Sequence, residues 1–178
     1  MISEKLLKKL NEQMMNEFYS ANLYLQMSAW CNHEGFEGSA KFLRNHAAEE
    51  MEHMQKLFDY IQDIGALPII DAIEKPKSEY KDLKHVFETA YKHEKLVTSR
   101  IHELVELSLS EKDFGTFNFL QWFVEEQREE EKLFKSILDK INMVGLEGRG
   151  LFIVDREIGS MKDKEIESIK NKEIESIK

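Results

Sequence analysis

Residues 42–61 read FLRNHAAEEMEHMQKLFDYI, and the spacing inside this stretch decides the fold. Taken at steps of three and four, one helix face carries Phe42, His46, Glu50, His53, Leu57 and Tyr60, with Ile64 continuing it. The face is apolar towards both ends and holds imidazole and carboxylate groups in its middle. Sinking a glutamate into a core is costly unless something compensates its charge. The stretch opens at Ser39, after the Gly35–Gly38 break, and stops at Gly65.

Working outward, three more long stretches show the same period. Ser3 followed by Glu4 reads as an N-cap with an acid in the first turn, opening a helix to about His33. A third helix is expected from about Tyr80 to Ser110 and a fourth from about Asp113 to Met143, ended by Gly145, Gly148 and Gly150. Leu151 to Ile158 forms a short amphipathic fifth piece that needs tertiary contacts to persist. The first and third links are short, so the helices they join are antiparallel neighbours. The link over 66–79 holds both prolines, Pro68 and Pro76. Extended, it reaches about 46 Å. That exceeds the roughly 40 Å length of the second helix, so the link can cross the bundle and leave helices two and three parallel. The expected fold is all-α: a four-helix bundle with a long crossover between helices two and three and a short fifth helix.

The other seams repeat the polar centre. Helix one gives Leu10, Met14, Glu17, Ala21, Tyr24 and Ser28; helix three gives Phe87, Tyr91, Glu94, Thr98, Ile101 and Val105. Helix four gives Leu120, Phe123, Gln127, Glu130, Phe134, Ile137 and Ile141. The helix midpoints fall near residues 18, 52, 95 and 128. Glu17, Glu50 with His53, Glu94, and Gln127 with Glu130 therefore share one depth, whichever way each helix points. Taken singly, a helix glutamate is ordinary solvated surface, and Glu-x-x-His recurs by chance. Four seams with the same insertion at the same depth define a polar layer whose carboxylates repel, and a multivalent cation would compensate them. Carboxylates with one imidazole suit iron or manganese in a bundle core. Structural zinc favours Cys and His, and calcium seldom recruits histidine. Glu50, the central carboxylate beside His53, is the candidate to bridge two cations.

Composition narrows the class further. The 178 residues, 42% hydrophobic and 33% charged, fit one globular domain and not a disordered chain. A net charge of −9 repels phosphates, so no nucleic-acid partner is expected. No apolar run approaches the roughly 18 residues of a membrane span. The opening MISEKLLKKL has no signal-like apolar core, and Cys31 stands alone, so a cytoplasmic setting without a membrane partner is expected. The sequence KEIESIK occurs at 164–170 and again at 172–178. That period of eight offsets the isoleucines by about 80° between copies. The expected division is a metal-binding domain over 1–159 and a duplicated tail over 160–178 with no assigned function.

Four motifs carry a family resemblance: LNEQMMNEFYSANLYLQMSAW from Leu10, FLRNHAAEEMEHMQKLFDYI from Phe42, YKHE ending at Glu94, and NFLQWFVEEQREEEKLFKSI from Asn118. Over about residues 1–159 the chain resembles the non-haem bacterial ferritins, within the ferritin-like di-iron family. The resemblance implies a ferritin-like bundle that oxidises iron(II) with dioxygen or hydrogen peroxide. It implies storage of the iron as a ferric oxyhydroxide mineral in a hollow, cytoplasmic cage of 24 subunits. Carried over by position, the first iron site would use Glu17, Glu50 and His53, and the second Glu50, Glu94 and Glu130, with Gln127 close by. A third iron site would use Glu49, Glu126, Glu129 and Glu130. Tyr24 matches a family tyrosine that orients ligands or supplies an electron; it also fits a core aromatic with a hydrogen-bonded hydroxyl. Trp122 matches a nearby family tryptophan and reads more as packing.

Two alternatives fit these residues less well. Haem-binding bacterioferritins hold haem through a methionine, and Met51 follows Glu50, but they repeat Glu-x-x-His on the fourth helix. Here Gln127-x-x-Glu130 stands in that place, so no haem is expected. A metal-free helical interaction module would not need a polar group at mid-depth in every seam. His46, one turn before Glu50, is expected to neighbour the centre without ligating it. His33, His85, His93 and His102 are expected to be ordinary.

Overall fold

The computed structural model describes residues 2–161 and contains, among them, five helices and no strand. These are α1 (Glu4–His33), α2 (Glu37–Asp63), α3 (Leu83–Ser110), α4 (Phe114–Val144) and α5 (Gly148–Gly159). Three of the N-termini are capped locally. Ser3 Oγ accepts from the Leu6 amide at 3.0 Å, Asp82 from His85 at 2.8 Å, and Asp113 from Thr116 at 3.0 Å. Because Asp82 is the cap, α3 begins at Leu83 and not at Tyr80, whose ring is buried beside the helix start.

The start of α2 is set from far away in sequence. Phe36 offers no side-chain cap, and the helix begins at Glu37, two residues before the expected Ser39. Asp155 of α5 supplies the missing acceptors. Its Oδ2 takes the Gly38 amide at 2.9 Å, and its Oδ1 takes the Ser39 amide at 2.8 Å and Ser39 Oγ at 2.6 Å. Gly38 permits the approach: a Cβ there would lie 1.9 Å from the Asp155 carbonyl oxygen, and one on Gly159 would lie 2.6 Å from Gly38 Cα.

α1 packs on α2 and α3 on α4, α1 also touches α3, and α5 lies against α2 and α4. The core divides into two apolar clusters. One joins Leu23, Tyr24, Met27 and Cys31 of α1 to Phe42 and Leu43, Val86 and Phe87, and Phe134, Ile137 and Ile141, with α5 beneath. The other joins Leu6, Leu10 and Met14 to Leu57 and Ile61, Val97, Ile101 and Leu104, and Leu120 and Phe123. The end of α1 therefore meets the starts of α2 and α3 and the end of α4, so α2 and α3 run parallel. The connection over 64–82 crosses from one cluster to the other along α1, where the Ile69 amide donates to Asn11 Oδ1 at 2.6 Å. Burying the large side chains supplies the drive, at about 1.5–3 kcal/mol each.

Two seams shift slightly from the sequence reading. In α3 the buried face is Ala90, Glu94, Val97, Ile101 and Leu104, with Tyr91, Thr98 and Val105 only half-buried. In α2 it ends on Ile61, leaving Tyr60 and Ile64 half-buried. A core-facing stripe is wider than one residue per turn, so neighbours compete for its centre. None of the described helices is long and apolar enough to cross a membrane. The KEIESIK repeat and most of the expected tail lie outside the described residues.

Candidate metal centre

Between the two apolar clusters lies a polar layer supplied by all four long helices. Glu17, Glu50, Glu94 and Glu130 are 1–4% exposed, and His53 and Gln127 are buried with them. His46, one turn before Glu50, is fully buried. It sits in an aromatic box, stacked on Phe42 and edge-on to Tyr24 and Phe134.

Ligand atoms of Glu17, Glu50 and His53 lie within 4.8 Å of one another, as do those of His46, Glu50 and Glu94, and of His46, Glu49 and Glu130. Glu50 belongs to two of these groups. One of its oxygens is 3.3 Å from His53 Nδ1 and the other 3.6 Å from His46 Nε2. His46 Nε2 also lies 3.1 Å from Glu130 Oε2, and its Nδ1 lies 3.4 Å from Glu49 Oε2. The structure thus brings Glu17, Glu50 and His53 together, and sets Glu94 and Glu130 around His46 on the other side of Glu50.

Hydrogen bonds distinguish these acids. Glu94 has a donor on each oxygen: the Tyr24 hydroxyl on Oε1 and Gln127 Nε2 on Oε2 at 2.9 Å. Glu17 Oε1 accepts from Gln13 Nε2 at 2.7 Å, while Glu17 Oε2 is buried with no donor. The third-site residues are less gathered. Glu49 approaches Glu130 through His46, Glu126 Oε1 lies 3.8 Å from His53 Nε2, and Glu129 is exposed.

Burial dominates the electrostatics. It pushes the Glu17 carboxyl up to about 7, with Glu94 adding repulsion against the relief given by His53 and Gln13. Glu50 is raised well above the usual range by burial and then by Glu94 and Glu17, and Glu94 is raised by burial and Glu130. Such a layer binds protons or cations. The Glu17 oxygen without a donor and the oxygen-rich set with imidazole fit a hard or borderline divalent ion such as iron(II).

Two residues near the centre were not marked by spacing. Gln13 is 1% exposed and one turn before Glu17; an amide four residues ahead of a seam acid was the available signal. His93 is not ordinary. Its Nε2 lies 2.7 Å from Ser20 Oγ, its ring meets Tyr24 and Tyr19, and burial lowers its pKa to about 4. Trp122 stands edge-on to His53 with Lys56 Nζ 4.3 Å above its ring. Cys31 lies in the apolar cluster with its thiol pushed up to about 12, which suits packing and not nucleophilic chemistry.

A parallel bundle crossover and a mid-depth layer of carboxylates with one Glu-x-x-His define a ferritin-like metal-binding protein. The family model described as the ferritin-like domain matches residues 7–144. The chain belongs to the ferritin family. It is 62% identical over 161 residues to a probable bacterial non-heme ferritin-like protein of Haemophilus influenzae, covering 90% of this chain and 98% of that one. It is 53% identical, with the same coverage, to a bacterial non-heme ferritin of Escherichia coli. Among solved structures, an open pore ferritin from the hyperthermophilic archaeon Archaeoglobus fulgidus superposes with a TM-score of 0.88 at 42% identity. That match covers 89% of this chain and 98% of the archaeal one.

Proposed function

We propose that this protein stores iron and is a ferroxidase, oxidising iron(II) at a two-ion centre in the bundle core and depositing ferric oxyhydroxide inside a 24-subunit cage. Glu50 carries the reading, because it contacts the Glu17–His53 side and the Glu94–His46 side at once. One iron(II) would take Glu17, Glu50 and His53, which are grouped, and a second Glu50 and Glu94 together with Glu130, which reaches that side beside His46 at 3.1 Å, with Gln127 fixing Glu94. Glu49, Glu126, Glu129 and Glu130 would hold a third iron beside the pair.

The buried acids lower the cost of the oxidised state, since each carboxylate offsets part of the charge gained. Two iron(II) ions supply two electrons; dioxygen takes them with two protons and leaves as hydrogen peroxide, which can oxidise two further iron(II). Membership of a family with non-heme relatives supports iron without haem, and Gln127-x-x-Glu130 on α4 supports the same choice. A cytoplasmic site of action accompanies this proposal.

The test is iron(II) addition to the purified protein, followed by a ferric absorbance band and oxygen uptake, with size-exclusion chromatography on the same sample. Rapid oxidation by a large assembly, with iron remaining in the protein fraction, is expected. A monomer that leaves the iron(II) oxidation rate at that of buffer would overturn the reading in favour of a helical interaction module.

A further inference from the structure

Gln13 is a buried amide on the same helix as two residues of the second apolar cluster. It is 1% exposed, and Leu10 and Met14 beside it are fully buried in that cluster. An amide buried there needs hydrogen-bond partners on both ends. Its Nε2 donates to Glu17 Oε1 at 2.7 Å, and its Oε1 lies 3.4 Å from Asn16 Nδ2. Only the NH2 end can serve a carboxylate oxygen, so the contact fixes which way the amide faces.

The consequence falls on Glu17. With Oε1 held, the carboxylate cannot rotate freely, and Oε2 stays in the group formed with Glu50 and His53, buried and without a donor. We propose that Gln13 is a positioning residue for the metal centre, holding Glu17 by one oxygen so that the other is presented to the cation beside His53. This rests on the reading of Glu17, Glu50 and His53 as ligands. The arrangement is local to that side, because Glu94 is held by donors on both oxygens and by residues of α1 and α4. Partners that orient a ligand in this way typically contribute ten- to a hundredfold in metal affinity.

The experiment is anaerobic titration of the assembled protein with cobalt(II), read by calorimetry and by the visible absorption of the bound ion. Gln13→Met keeps the length and removes the donor; Gln13→Leu is the second variant should the first fail to fold. The expected result is a roughly tenfold or greater loss in affinity for the first ion, with the number of ions bound unchanged and the cobalt band altered. In iron(II) oxidation the loss should enter KM and leave kcat nearly unchanged. In a Glu17→Ala background, Gln13→Met should have no further effect on affinity. Wild-type affinity and spectrum in both Gln13 variants, or an equal loss with and without Glu17, would overturn the proposal. If Glu17→Ala itself binds cobalt(II) as the wild type does, the ligand assignment fails instead.

Discussion

The Tyr24 hydroxyl on α1 donates to Glu94 Oε1 on α3, joining residues 70 positions apart across the bundle. Gln127 holds the other Glu94 oxygen from α4, so one buried acid is tied to two other helices. The Tyr24 ring also stacks on Phe134 at 5.6 Å, so the contact suits both a ligand-orienting residue and a core aromatic with a hydrogen-bonded hydroxyl. Removing its hydroxyl strands a buried oxygen, at a cost of about 1–3 kcal/mol. Tyr24→Phe should therefore lower the melting temperature of the metal-free protein. A cation supplies the stranded oxygen with a new partner, so the deficit should shrink with saturating cobalt(II). Equal deficits in both states would show that the Tyr24–Glu94 contact is independent of the metal.

Glu50 is the residue whose loss both sides of the centre should feel. Glu50→Ala removes the carboxylate that lies 3.3 Å from His53 and 3.6 Å from His46 without touching an outer helix surface. Fast iron(II) oxidation should disappear while the assembly elutes unchanged on size exclusion. A normal initial rate in the variant would remove Glu50 from the role of bridge.

The contribution of Glu17 to the stability of the metal-free protein should fall as pH rises. Burial holds the Glu17 carboxyl up to about 7, against its ordinary 4.5. Between these values the folded state binds more protons than the unfolded one, so stability present at low pH is lost as pH passes through about 7. Glu17→Gln keeps an acceptor for Gln13 and cannot ionise. Its stability advantage over the wild type should grow across that window, towards something on the order of 3 kcal/mol. Denaturant unfolding of both proteins in chelator from pH 4.5 to 8 measures the difference. A constant gap would mean that Glu17 ionises without penalty.

What could be read from the chain was what repeats along a helix. The four seams and the depth of Glu17, Glu50, Glu94 and Glu130 follow from local period and helix length, and the structure places these acids between two apolar clusters. Contacts between distant segments were not legible. The start of α2 depends on Asp155, and no local rule announces a cap 116 residues away. The surroundings of His93 depend on Ser20 and Tyr24 of α1, and a residue one step off a seam gives no sign of that. Gln13 stood beside the seam in plain view, but an amide has no charge to attract notice until its carboxylate partner is placed.

The α5 docking makes an unusual demand on one glycine. In most helices Gly→Ala is stabilising by up to about 1 kcal/mol. At Gly38 the new Cβ would lie 1.9 Å from the backbone oxygen of Asp155, so α5 would have to move and loosen the cap on Gly38 and Ser39. Gly38→Ala should therefore destabilise by about 1–3 kcal/mol, the range for overpacked sites. Asp155→Ala should do so as well, by loss of the acceptors. Thermal unfolding of the two variants checks this. A stabilised Gly38→Ala protein would show that α5 is not held against α2.

The third-site residues give the most discriminating test of how electrons leave the centre. Glu49 lies 3.4 Å from His46 Nδ1 and Glu126 lies 3.8 Å from His53 Nε2. Both are partly exposed, and they flank the buried pair of ligand groups without separating them. As solvated surface acids they could be neutralised with little effect. As holders of extra iron(II) they would feed further electrons, beyond the pair's two, to dioxygen on its way to water, which takes four electrons in all, and so change the stoichiometry. Glu49→Ala combined with Glu126→Ala should leave binding of two ions largely intact, since Glu17, Glu50, His53, Glu94 and Glu130 remain. Measured before any released hydrogen peroxide is reused, the number of irons oxidised per dioxygen consumed should fall towards two in the double variant and exceed it in the wild type. Oxygen uptake at stepwise iron(II) additions, with metal binding titrated separately, measures both quantities. The same ratio in the two proteins would leave Glu49 and Glu126 without a part in oxidation.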